Sequence, residues 1–67
     1  MSDAEEIAAH KATMRRMDTT TRYYYMIGYI SGEVRSDWPT PAKKLRHIRL
    51  LIQTHDELLQ EETPNAG

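Results

Sequence analysis

Two prolines with one residue between them, Pro39 and Pro41, forbid a helix from running through the middle of this chain. Each lacks a backbone donor, and each pushes the residue before it out of the helical region. Whatever folds before Asp37 must therefore be a separate element from whatever folds after Thr40. Thr40 is a good N-cap and Pro41 a good first helical residue, so a new helix begins there. The predicted helix runs from about 41 to 61. Its apolar stripe is Leu45, Ile48, Ile52, His55 and Leu59, stepping by three and four, with Leu51 and Leu58 beside it.

The half before the prolines is less regular. Ser2 and Asp3 each have a glutamate three residues on, Glu5 and Glu6, which makes two candidate capping boxes. Ile7, His10, Met14 and Met17 form one face at helical spacing. Tyr23, Ile27, Ile30 and Val34 form another, and the two point to roughly opposite sides of any single helix. The change of phase falls at Asp18-Thr19-Thr20-Thr21. The expectation is a helix over about 3–17, a second over about 20–35, a loop at 36–40 and the last helix at 41–61. One unbroken helix over 3–35 is the alternative. Threonine and tyrosine also suit a strand, but Tyr23 to Ile27 shows no alternation. Gly28 and Gly32, four apart, would weaken a helix and point either to close approach of another helix or to a nearby helix end. Residues 63–67 are expected to form a disordered tail.

Size decides how such elements must be stabilised. Sixty-seven residues make one domain with a marginal core, and the absence of cysteine removes disulfides and thiolate zinc sites. Oligomerisation or docking on a partner remains. The fold expected is all-α: an antiparallel helical hairpin of two or three helices, dimerising into a small helical bundle. The longest uncharged apolar run, from Tyr23 to Ile30, is too short for a membrane span. The acidic residues at the start do not suit a secretory signal, and the expected location is cytoplasmic.

The net charge of -1 conceals segregated blocks. Residues 1–10 carry Asp3, Glu5 and Glu6; residues 11–22 carry Lys11, Arg15, Arg16 and Arg22 against Asp18. Residues 41–50 carry Lys43, Lys44, Arg46 and Arg49; residues 51–67 carry Asp56, Glu57, Glu61 and Glu62. The last helix thus begins basic and ends acidic, against its own dipole. Pairing with another helix supplies a reason for that order. Either the N-terminal half folds back antiparallel, or two copies of the last helix cross antiparallel near Ile52.

The sequence offers residues for three kinds of site. Arg22, Tyr25, Tyr29, Trp38 and Leu50 are residue types found as anchors of protein interfaces and lie off the apolar stripes, which suggests a partner-binding surface. Leu45, Ile48, Ile52, His55 and Leu59 would form the dimer or core seam. Lys43, Lys44, Arg46 and Arg49, with the 11–22 segment, could instead grip nucleic acid, although a pI near 6.3 is low for that role. His10, His47 and His55 do not have metal-ligand spacing, and no nucleophile motif or phosphate loop is present. The sequence therefore reads as a non-enzymatic interaction module (adaptor, inhibitor or regulator) with no cofactor or metal. It would bind itself and another protein, with nucleic-acid binding as the alternative function.

Overall fold

The structure is a computed structural model that describes residues 2–63. The expectation of a disordered tail at 63–67 lies, beyond Thr63, outside the described residues. Among the described residues the chain is helical throughout, with α1 at Asp3–Met14, α2 at Thr19–Arg35 and α3 at Pro41–Glu62. No helix among them is long and apolar enough to cross a membrane.

Each helix starts on the residue whose side chain can cap it. The Ser2 hydroxyl accepts from the Glu5 amide at 3.2 Å, and the Glu5 carboxylate accepts from the Ser2 amide, completing a capping box. The Asp18 carboxylate accepts from the Thr21 amide at 2.8 Å and Thr40 from the Lys43 amide at 3.4 Å. α1 ends at Met14, short of the expected 17. The Met17 amide bonds back to the Met14 carbonyl at 3.0 Å, and Asp18 is extended, with φ -74 and ψ 174. The threonine run therefore begins a new helix, and a single helix over 3–35 is excluded.

Two short connections reverse the chain twice, so α2 is antiparallel to both neighbours and α1 runs parallel to α3. Ion pairs show the sense directly: Asp3 meets Arg46 near the start of both helices, and Arg15 meets Glu61 near their ends. The expected antiparallel hairpin is correct for α2 and α3. It is not correct for α1, which folds across them as a third helix.

Met14, Leu51 and Leu58 are fully buried, with Tyr25, Met26, Tyr29 and Ile30 packed against them. Leu50 is nearly as buried, and Thr54 is buried with its hydroxyl donating to the Leu50 carbonyl at 2.7 Å. The core positions of α3 are thus Leu51, Thr54 and Leu58. The stripe expected to form it, Leu45, Ile48, Ile52, His55 and Leu59, lies one residue further on, about 100° around the helix, with Ile48 and His55 half-buried and the other three exposed. The reason is the third helix. With α1 and α2 on two sides, α3 turns the line between them inward, and the stripe aimed at a single partner swings out.

Candidate interaction face

The rotation of α3 leaves an apolar surface that α1 does not cover. On α3 its side chains are Leu45, Ile52 and Leu59, exposed by 55%, 44% and 44%. On α2 they are Tyr23, Ile27 and Val34, exposed by 51%, 60% and 68%. The Tyr23 and His55 rings lie 5.7 Å apart between the two helices. In an antiparallel pair that contact sets Ile30 level with Ile48 and brings Ile27 within a residue of Ile52 and Val34 within a residue of Leu45. Half-buried Ile30, Ile48 and His55 floor the strip between these outer residues. The six outer side chains together expose roughly 600 Å², at the upper end of the patches a monomer ordinarily carries. The residues expected to form a dimer or core seam are therefore not the core; they are the uncovered strip beside it.

The anchors expected on the surface behave differently. Arg22, Tyr25, Tyr29 and Leu50 all turn inward, and of that set only Trp38 stays exposed, by 77%. Arg22 joins three helices. Its Nε donates to the Met14 carbonyl at 2.8 Å, at the C-terminal end of α1, and its two terminal nitrogens grip both Glu62 oxygens at 2.7 and 2.6 Å. The Glu62 carboxylate holds that guanidinium's pKa above its usual value, and Glu62's own pKa is lowered in return. The Tyr25 hydroxyl lies 2.8 Å from His10 Nδ1, and the Tyr29 ring meets the same imidazole edge-on at 5.1 Å. Burial pushes both phenols up and the His10 imidazole down. The His47 Nδ1 lies 2.9 Å from Glu33 Oε1, while Glu33 Oε2 is buried with no partner among the described residues. The signal for these inward positions was the spacing 22, 25, 29, 33, a helical stripe in its own right. Its polar ends hide it from a reading based on hydrophobicity.

Most of the basic residues proposed for nucleic acid are answered within the chain. Lys11 reaches Glu57 and Glu61, each at 2.8 Å, and Arg15 reaches Glu61 at 2.6 Å. Arg46 bonds Asp3, with Glu6 at 4.0 Å, and Lys44 donates to the Ser36 carbonyl. Lys11 lowers the Glu57 and Glu61 carboxyls below their usual range, and Asp3 raises the Arg46 guanidinium. The charge blocks thus pair across parallel α1 and α3, acidic 1–10 with basic 41–50 and basic 11–22 with acidic 51–67. Lys43 and Arg49 are exposed and have no ion-pair partner among the described residues.

An open groove of about 450 Å³ runs under Trp38 and Pro39, with Gly28, Tyr29, Gly32, Glu33 and Ser36 along its sides. No group of three or more metal-ligating side chains is placed to hold an ion among the described residues. Compared with protein-family models, curated proteins and solved structures, the chain matches none of them.

Proposed function

We propose that this chain is a non-enzymatic protein-interaction module, of the adaptor, inhibitor or regulator kind, working in the cytoplasm through the bare face of α2 and α3. One observation carries the reading. The strip Tyr23, Ile27, Val34, Leu45, Ile52 and Leu59 is contiguous, apolar and uncovered on a protein whose own core holds few fully buried side chains. Surface of that kind is stabilised by covering it with another apolar surface.

The nucleic-acid alternative has no comparable support. Arg46, Lys44, Lys11, Arg15 and Arg22 have partners on neighbouring elements, and Arg16 on the chain's first half with Lys43 and Arg49 on α3 make no continuous basic stripe.

A photo-crosslinking side chain placed at Ile27 or Leu59, and for comparison at Thr13 on the outer side of α1, tests the face in cells that make the protein naturally. Adducts with a protein chain, a second copy included, are expected from 27 and 59 and not from 13. Equal yields at all three, or none at 27 and 59, would refute the assignment.

A further inference from the structure

We infer that what covers the α2/α3 face is a second copy of this chain, packed antiparallel about a two-fold axis level with Ile52. This rests on the interaction reading above and names its partner.

The α3 half of the exposed strip is self-complementary in the manner a two-fold axis requires. Leu45, Ile52 and Leu59 are spaced seven and seven, symmetric about Ile52. An antiparallel copy crossing there sets Ile52 on the partner's Ile52, Leu45 on the partner's Leu59 and Leu59 on the partner's Leu45. On α2, Ile27 lies within about a residue of the same level, so α2 meets its own copy near the axis, although Tyr23 and Val34, four before and seven after Ile27, are not symmetric about it. The product is a four-helix layer of two α2/α3 hairpins face to face, with each α1 on the outside.

Charge at the rim agrees independently. Arg49 and Asp56 flank the strip on α3, on the edge away from α2, three residues before and four after Ile52, an offset of one residue that their side chains can span. Arg49 has no ion-pair partner among the described residues. The Asp56 side chain is 66% exposed, and among the described residues its nearest ion-pair candidate is the His55 Nδ1 at 3.9 Å, on the adjacent residue. The two-fold operation sets Arg49 against the partner's Asp56 and Asp56 against the partner's Arg49. A parallel copy would set like against like. The area is also of the right order: roughly 600 Å² of apolar side chain per copy, against about 800 Å² per partner in a standard interface.

Sedimentation equilibrium of the full chain at low salt tests this, with circular dichroism to confirm that each variant stays helical. The variants are Arg49→Asp, Asp56→Arg and the two together; both positions are exposed, so neither change disturbs the protomer. The wild type is expected to dimerise. Each single reversal should weaken dimerisation by roughly five- to tenfold, and the double reversal should restore it to within about twofold. A helical wild type still monomeric at millimolar concentration overturns the inference, and so does a double variant no tighter than the weaker single. If the monomer still gives crosslinks from positions 27 and 59 to a different protein, the copy is wrong and the interaction reading stands. If those positions are silent as well, both fall.

Discussion

Arg22 is the residue on which the three helices converge, and its burial follows from the partners it can satisfy together. A guanidinium presents donors in a fixed fork, so it can close the end of α1 through the Met14 carbonyl and hold Glu62 with both remaining nitrogens. Replacing it with methionine keeps the stem, removes one of the two bonds on the Met14 carbonyl, which still accepts from the Met17 amide, and leaves the half-exposed Glu62 carboxylate without its cation. Arg22→Met is expected to cost roughly 2 to 4 kcal/mol, read as a shift in the urea midpoint. Glu62→Gln, which leaves the Met14 bond intact, should cost distinctly less. An equal cost for the two would mean that the Met14 bond contributes nothing. His10 supplies a pH dependence with a definite sign. Burial holds its folded-state pKa below the ordinary 6.5, so as pH falls the unfolded chain takes up the proton first. That part of the stability is complete above about pH 6.5 and is lost as the pH falls from there toward the folded value. The carboxyls of Glu57, Glu61 and Glu62, lowered from 4.5 by Lys11, Arg15 and Arg22, lose their contribution in a separate, more acid window. His10→Gln should therefore flatten the decline between pH 7.5 and 5.5 and leave the acid limb unchanged, as urea midpoints at each pH would show.

At the scale of the element, α2 carries two glycines that the protomer does not use for close packing. A Cβ built at Gly28 or at Gly32 meets nothing within 4 Å, so the reading in which a second helix approaches there fails within the protomer. Gly32 does sit in the last turn, its carbonyl accepting from the Ser36 amide at 3.1 Å. Alanine at both positions removes backbone entropy from the unfolded chain at no steric cost. Gly28→Ala with Gly32→Ala is expected to add up to about 1 kcal/mol each and to raise the melting temperature by roughly 5 to 10 °C. A lower melting temperature would mean that another chain approaches α2 there. The starts of the helices were legible in the sequence because capping is local: Ser2, Asp18 and Thr40 need only the next few amides. The orientation of α3 was not legible, because Leu51 and Leu45 are both good core residues. Which of them turns inward depends on where α1 lands. Likewise the charge blocks announced a paired helix, but not that the pairing would be parallel. That follows only once the turn at 15–17 is known to reverse the chain. Tyr25, Tyr29 and Leu50 look like surface anchors in the sequence for the same reason: a two-helix fold leaves their side open, and α1 closes it.

At the scale of the whole molecule, the fold divides its apolar residues between two surfaces. Met14, Leu51 and Leu58 hold the three helices together, and an equally coherent set on α2 and α3 is left outside. A sixty-seven-residue chain without cysteine gains most from covering that second set. If a second copy does so, folding and association are linked. A hundredfold rise in protein concentration then favours the associated state by roughly 2.7 kcal/mol. The most direct measurement is the thermal unfolding midpoint of the wild-type chain, followed by circular dichroism from micromolar to hundreds of micromolar. The account predicts a midpoint that climbs by several degrees across that range and becomes nearly constant in an Ile52→Asp variant, where a charge sits on the two-fold axis. A wild-type midpoint that stays constant over the whole range would contradict it.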